Sequence, residues 1–187
     1  MRVIAGTARG RPLVAPRGTA TRTIGDRVKE TLFDILGDRV PDARVLDLYA
    51  GSGAVGIEAL SRGAAWCDFV EHHRLAVAAI RENLERAGVG DRGSVHVQDA
   101  MRYLAAAGEE QIGLAILDPP YAERAILAPL ARLVAHLAPG AVVVVKHHWR
   151  TPIPEPPGLV LWRERRFGET ALTFLAATDG ADGVEEP

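Results

Sequence analysis

The stretch from Val45 to Gly56 constrains the fold more than any other part of the 187-residue chain. It begins with an apolar run typical of a strand covered on both faces, then enters a glycine turn at 51–53 and a helix expected at 54–62. Glycines permit a tight turn whose backbone N–H groups approach a ligand, next to the unpaired N–H groups of the helix N-terminus. The pattern therefore predicts a nucleotide-binding turn.

Asp47 indicates which ligand suits this turn. The glycine spacing is shared with dinucleotide-binding enzymes, in which a pyrophosphate lies at the helix N-terminus. Asp47 ends the strand before the first glycine, where a carboxylate is unfavourable beside a pyrophosphate. It suits a ligand with an amino group and a positive centre, such as S-adenosylmethionine. The charge of Asp47 favours this methyl donor over a dinucleotide. In the alternative interpretation the residues are only structural: Asp47 caps the turn and the glycines form it.

Strands and helices alternate from Arg44 onward. The predicted strands are 44–50, 66–71, 94–98, 114–118 and 141–147, and the predicted helices between them are 54–62, 74–87, 100–107 and 122–137. This alternation predicts a doubly wound, mostly parallel Rossmann-like α/β sheet with ligands at the carboxyl ends of its strands. Two further strands, at 159–165 and 170–177, are joined at Phe167-Gly168-Glu169 and predict a terminal antiparallel hairpin.

The N-terminal 25 residues are basic and carry no acidic residue. Their arginines are Arg2, Arg9, Arg11, Arg17 and Arg22. Apolar clusters at 3–5 and 13–15 predict a short hairpin or an extended arm. Such an arm on a chain of net charge −2 is typical of a polyanion-binding protein, although a solvated loop has the same composition. A helix is expected next at 26–36, with Asp26 as its N-cap and Gly37 as its stop.

These patterns divide the chain into a basic arm or hairpin at 1–25, one α/β domain at 26–178 and an acidic disordered tail at 179–187.

Cys67 is the only cysteine and lies in an apolar run, which predicts a reduced, buried residue. No signal-peptide pattern or membrane-spanning apolar run is present, so we expect a cytoplasmic protein without a membrane partner. The spacing of histidines and acidic residues completes no metal site, so no metal is expected.

Acidic residues follow two other predicted strands. Glu71 is placed to accept both ribose hydroxyls of the donor, and it would do the same for NAD. Asp99, which precedes Ala100, is placed to accept from an adenine amino group. It would equally cap the helix expected at 100–107, and these two interpretations are compatible.

The most specific motif is Asp118-Pro119-Pro120-Tyr121 at the end of the fourth strand. Two prolines remove two backbone donors and stiffen the loop, which leaves carbonyls to face the site. A carboxylate and the Pro119 carbonyl side by side can accept both hydrogens of an exocyclic amine. These bonds would orient a poorly nucleophilic amine and stabilise the positive charge that grows on its nitrogen, and Tyr121 offers a flat face for the base.

The segments 118–121 and 46–53 together resemble the class I S-adenosylmethionine-dependent methyltransferases that modify exocyclic or amide nitrogens. The wider chain is similar to the RsmD family of bacterial 16S ribosomal RNA guanine-N2 methyltransferases. This similarity includes Arg-Gly-Arg at 9–11, the segment 26–33 and the terminal segment 167–170. The first two of these are more selective than the glycine turn.

The resemblance implies methylation of the N2 amine of a guanine in 16S rRNA, in a 30S subunit or an assembly intermediate, with S-adenosylmethionine as cofactor. The expected donor site consists of Asp47, Tyr49, Gly51, Ser52, Gly53, Glu71, Asp99 and Ala100. The expected catalytic residues are Asp118, Pro119 and Tyr121, and the expected RNA-binding residues are Arg9, Arg11, Arg22 and Arg27.

The chain departs from the family pattern at two places. Relatives often have an acidic residue at the end of the fifth strand, where this chain has Lys146-His147-His148, so contacts there do not carry over. Phe167 stands where tyrosine is common, so a hydrogen bond from that hydroxyl does not carry over either. An adenine-N6 methyltransferase acting on DNA or RNA is an alternative, because the same loop serves either amine. A non-catalytic RNA-binding protein with a retained cofactor fold is another, and an NAD-dependent oxidoreductase ranks last.

Overall fold

The computed structural model describes residues 1–16, 25–108, 111–119 and 124–178. Its strands are β1 (Arg44–Leu48), β2 (Trp66–Glu71), β3 (Gly93–Val97), β4 (Ile112–Leu117), β5 (Leu137–His148), β6 (Leu159–Phe167) and β7 (Thr170–Ala177). Its α-helices are α1 (Asp26–Leu36), α2 (Ala54–Ser61), α3 (Arg74–Ala87), α4 (Ala100–Ala106) and α5 (Arg124–Leu133).

The seven strands form one sheet in the order β3-β2-β1-β4-β5-β7-β6. The first five are parallel, and β7 and β6 add an antiparallel hairpin at one side. This confirms the predicted doubly wound sheet and its terminal hairpin. Because β1 pairs with both β2 and β4, the winding reverses between β1 and β4, which is where such sheets bind ligands.

The hydrophobic core has two layers, one on each face of the sheet. Buried side chains of α1, α2 and α3 pack on one face, and those of α4 and α5 pack on the other. Cys67 lies in the first layer, and its burial confirms the prediction. Across the described residues, no helix combines the length and apolar character needed to cross a membrane.

Most strand and helix boundaries differ from the predictions by no more than two residues, and two differences at helix ends have a visible structural cause. The helix predicted at 122–137 ends at Leu133 and passes through a 3-10 turn, because Leu137 pairs with Ile112 and begins β5. Helix α1 begins at Asp26 itself with Gly25 as its N-cap, so the prediction that Asp26 is the cap is wrong by one residue. Gly37 ends α1 as predicted.

Residues 1–16 form a hairpin, one of the two predicted alternatives, with an antiparallel bridge between Arg2 and Pro12. The hairpin is docked on the α/β domain: the side chains of Val3 and Leu13 are buried in the first core layer. Its backbone is also bound to α3, since Asn83 accepts a hydrogen bond from Val14 N–H at 2.7 Å and donates to the Val14 carbonyl at 2.9 Å.

A buried charge cluster fastens the hairpin to α1 and α2. The ammonium of Lys29 lies 3.0 Å from the carboxylate of Glu58, and both side chains are 0% exposed. Glu58 also accepts from the backbone N–H groups of Ile4 at 2.8 Å and Ala5 at 2.9 Å, and from Arg62 at 2.9 Å. Burial raises the pKa of Glu58, but the Ile4 hydrogen bond, the Lys29 charge and the Arg62 contact outweigh it and hold the pKa below its usual value.

Candidate active site

Three carboxylates meet at the carboxyl ends of neighbouring strands. Asp47 lies in β1, Glu71 ends β2 and Asp118 directly follows β4. The negative charges of Asp118 and Glu71 both raise the pKa of Asp47, as expected for three carboxylates that lie close together. The sheet therefore brings these predicted site residues together at the switch point between β1 and β4.

The glycine turn adopts conformations that most side chains avoid. Gly51 and Gly53 have φ values of 56° and 73°, and Tyr49 also has a positive φ of 62°. Such a value is costly for a tyrosine and is typical of backbone held in place at a functional site. The turn is thus shaped by both predicted glycines and by a strained tyrosine.

Each glycine of the motif meets different surroundings. A Cβ on Gly51 would meet only the Tyr49 carbonyl, 4.0 Å away, whereas a Cβ on Gly53 would press on Ile80 at 3.2 Å. A Cβ on Gly56 would overlap the ring of Phe69 and the sulfur of Cys67. Gly56 therefore allows α2 to pack closely on β2, and Gly51 is the glycine whose side-chain position is open.

Asp47 is buried and supports the turn directly. Its side chain accepts a hydrogen bond from the Gly56 N–H at 3.0 Å. Burial, only partly offset by this hydrogen bond, raises the pKa of Asp47 to about 8, and the charges of Asp118 and Glu71 add to the rise. Asp47 therefore both shapes the turn and holds a proton at neutral pH that a nearby cation would displace.

Glu71 links the end of β2 to the glycine turn. One carboxylate oxygen accepts from the Gly51 N–H at 3.0 Å, and the other accepts from the His73 N–H at 2.8 Å. Each oxygen keeps further acceptor capacity, because a carboxylate has about four lone-pair positions. The side chain is held rigidly and remains able to bind hydroxyl donors.

Asp99 is the N-cap of α4, which was one of the two roles predicted for it. Its side chain accepts from the N–H groups of Met101 at 2.8 Å and Arg102 at 3.3 Å through the same oxygen. Ala100 is the buried first residue of α4. Burial raises the pKa of the Tyr49 phenol, and the charge of Asp99 raises it further, so these two side chains face the same region.

Lys146 is the site residue that sequence reasoning missed. Its ammonium contacts both oxygens of Asp118, at 2.6 Å and 2.7 Å, across the β4–β5 pair. Burial raises the pKa of Asp118, and the Lys146 charge and hydrogen bond offset only part of this rise. The sequence signal for this residue was a lysine at the end of an apolar strand. Its partner could not be read from the sequence, because it depends on the register that pairs Leu117 of β4 with Val145 of β5.

The remaining predicted residues fall in different places. Pro119 is buried beside Asp118, while Tyr121 and Arg22 lie outside the described residues. The Ser52 hydroxyl faces the hairpin, where it lies 3.5 Å from the sulfur of Met1. Three of the predicted RNA-binding residues are exposed: Arg9 and Arg11 on the hairpin, and Arg27 on α1.

Comparison with known proteins gives concordant matches over nearly the whole chain. The family model described as "Conserved hypothetical protein 95" matches residues 1–176. A relative from Bacillus subtilis, named "Putative rRNA methyltransferase YlbH", is 38% identical over 93% of this chain and 97% of its own length. "Ribosomal RNA small subunit methyltransferase D" of Escherichia coli is 35% identical over 91% of this chain and 87% of its own length.

A solved structure agrees with these matches. The Escherichia coli protein described as "Putative methyltransferase yhhF" superposes with a TM-score of 0.86 at 32% identity, over 95% of this chain and 98% of that one. The chain therefore belongs to the RsmD family, that of the ribosomal RNA small subunit methyltransferase D proteins.

Proposed function

We propose that this protein transfers a methyl group from S-adenosylmethionine to the N2 amine of a guanine in small-subunit ribosomal RNA. The observation that carries the proposal is the Asp118 carboxylate, held through both oxygens by Lys146 at the switch point beside the glycine turn. The names of the relatives support an rRNA substrate, and the small-subunit name supports 16S rRNA.

The residues at the turn fit the methyl donor. Asp47 suits the amino group and positive centre of the methionine portion, Glu71 suits the two ribose hydroxyls, and Asp99 suits the adenine amine. The donor would supply a methyl group on a positively charged sulfur and leave as S-adenosylhomocysteine, and the methylated nitrogen would lose one proton to solvent. The chain would supply positioning, because in-line transfer between two held reactants requires no covalent intermediate with the protein.

The acceptor chemistry follows from Asp118 and Pro119. A guanine N2 amine donates its lone pair to the ring, so it attacks poorly unless its hydrogens are bound and the positive charge that grows on nitrogen is stabilised. Asp118 and the Pro119 carbonyl can accept those hydrogens, and the negative charge of Asp118 stabilises the transition state. Tyr121 would stack on a base taken out of its helix.

Adenine N6 is the second candidate target, because the same two acceptors, Asp118 and the Pro119 carbonyl, suit its amine.

Exposed Arg9, Arg11 and Arg27, together with Arg22, would hold RNA phosphates. A 30S subunit or an assembly intermediate is the proposed form of the substrate. A labelled methyl donor offered with 30S particles, free 16S rRNA and duplex DNA tests the proposal. Label in ribosomal RNA is expected, and label confined to DNA would overturn it.

Donor binding is expected to release a proton at neutral pH. Asp47, with a pKa raised to about 8, is mainly protonated at pH 7, and the donor amine would favour its ionised form. Calorimetric titration with S-adenosylhomocysteine in buffers of different ionisation enthalpy measures the release. Asp47→Asn, which keeps an acceptor for the Gly56 N–H, should abolish it; equal release from both proteins would show that Asp47 does not meet the ligand.

Lys146 is expected to lower the pKa of Asp118 relative to a site without this lysine. Since the Lys146 charge lowers the pKa of Asp118 against the effect of burial, Lys146→Met should raise that pKa. The acid limb of the pH–rate profile should then move to higher pH, and Lys146→Arg should restore it. An unchanged acid limb in Lys146→Met would contradict this account of the pair.

A further inference from the structure

A cluster of one tryptophan and two arginines lies at the same sheet edge as Asp118. Trp149 and Arg150 directly follow β5, and Arg166 is the penultimate residue of β6. The backbone N–H of Trp149 donates to the Glu169 carbonyl at 3.0 Å, which ties the end of β5 to the β6–β7 turn. We call Trp149, Arg150 and Arg166 the tryptophan cluster.

The cluster lies close to the proposed acceptor site. Trp149 follows Lys146 by three residues, so their backbones lie within about 10 Å of each other. Across the sheet, His147 pairs with Ala171, and Ala171 pairs with Arg166, so this arginine stands level with the end of β5. Stacked nucleotides are spaced by about 3.4 Å along one strand. The cluster is therefore within a few nucleotides of a base held at Asp118.

The arginines are ordered by the indole ring. The guanidinium of Arg166 lies 3.7 Å from the centroid of the Trp149 ring, and that of Arg150 lies 4.8 Å from it. Arg166 is further fixed by donating from Nε to the Gly168 carbonyl at 2.8 Å. Stacking uses the face of a guanidinium and leaves donors at its edge for a phosphate.

The arginines of the cluster are not paired with carboxylates. Among the residues that the structure describes, neither Arg150 nor Arg166 forms an ion pair with a carboxylate. The exposed neighbours on β6 and its turn are Arg163 and Arg165 together with Glu164 and Glu169, so this part of the surface keeps a net positive charge. Exposed, pre-positioned and unpaired arginines complement a chain of phosphates.

We propose that the tryptophan cluster binds the phosphate backbone of the RNA segment that flanks the target nucleotide. This inference rests on the proposed function, since it assumes an RNA substrate at the Asp118 edge. It adds a phosphate-binding surface on β5 and β6, separate from the arginines of the N-terminal hairpin. Its contacts position the substrate strand and do not read its sequence.

The test is the salt dependence of 16S rRNA binding by the full-length protein. Arg150→Gln and Arg166→Gln should each make the log–log slope less negative by about 0.7, the value for one phosphate contact on a single strand. Trp149→Ala should act in the same direction because it removes the platform, while Trp149→Phe should retain most of the slope. Arg86→Gln is the matched control, because Arg86 is an exposed arginine paired with Glu82 on α3.

The outcomes separate this inference from the proposed function. Unchanged slopes in the arginine variants, with normal binding by the wild type, would overturn the cluster alone. Absence of salt-dependent binding by the wild type to both free 16S rRNA and 30S particles would instead overturn the proposed function. A loss seen only with 30S particles and not with free RNA would also overturn the cluster as an RNA site, since it would indicate a ribosomal protein as its partner. All variants should bind S-adenosylhomocysteine normally.

Discussion

Asp118→Asn is expected to lower the single-turnover methyl-transfer rate by about 100-fold, the scale of removing one preorganised charge-stabilising group. Asparagine keeps the shape of the side chain and one acceptor oxygen, but it loses the negative charge that stabilises the amine nitrogen during transfer. Because this charge matters most in the transition state, RNA affinity should change far less than the rate. Rates at saturating 30S substrate, together with RNA binding constants, measure the two effects separately.

Asp68→Asn is the matched control for the Asp118 variant. Asp68 is likewise a carboxylate paired with a cation, Arg44 at 2.8 Å, but it is buried within β2 away from the proposed acceptor site. Its substitution should lower stability and leave the rate of the folded protein unchanged. A rate in Asp118→Asn equal to that of the control would mean that the Pro119 carbonyl holds the amine without the carboxylate.

Glu58→Gln is expected to lower the free energy of unfolding by about 3–5 kcal/mol, because it leaves the buried Lys29 ammonium without its counter-charge. That loss is a large fraction of the 5–15 kcal/mol that is typical of a whole domain. It should also loosen the hairpin, since Glu58 accepts from the backbone of Ile4 and Ala5. Urea denaturation measures the loss.

Glu82→Gln provides the control, because Glu82 and Arg86 form a pair with the same spacing as Glu58 and Arg62, on an exposed helix face. Exposed pairs contribute only about 0.3–0.5 kcal/mol. The lowered pKa of Glu58 adds a pH dependence: its stabilisation is present above the unfolded-state pKa and is lost as pH falls through the lower folded-state pKa. Equal losses in the two variants would show that the buried cluster does not stabilise the fold.

The sequence predicted the parts of the site that lie within single segments. Asp47, the glycine turn and Asp118 each belong to a strand end and its following loop, so the strand periodicity and the open-sheet rule were enough to bring them together. The end of α5 was misplaced because the pairing of Leu137 with Ile112 overrides its local helical pattern.

Contacts between distant segments were not predictable in the same way. Lys146 meets Asp118 because of the register between β4 and β5, and Arg166 meets Trp149 because of the register of the terminal hairpin. Likewise, the sequence indicated a basic hairpin but not its docking on Glu58. Register and docking arise from packing of the whole sheet, which local residue patterns do not encode.

Identification of the methylated nucleoside tests the central claim most directly. Wild-type protein and the Asp118→Asn variant would be incubated with labelled S-adenosylmethionine and 30S particles that lack the modification, and the 16S rRNA would then be digested to nucleosides. We expect the label in N2-methylguanosine with the wild type and a greatly reduced amount with the variant. Label in N6-methyladenosine, or equal N2-methylguanosine from both proteins, would contradict the account.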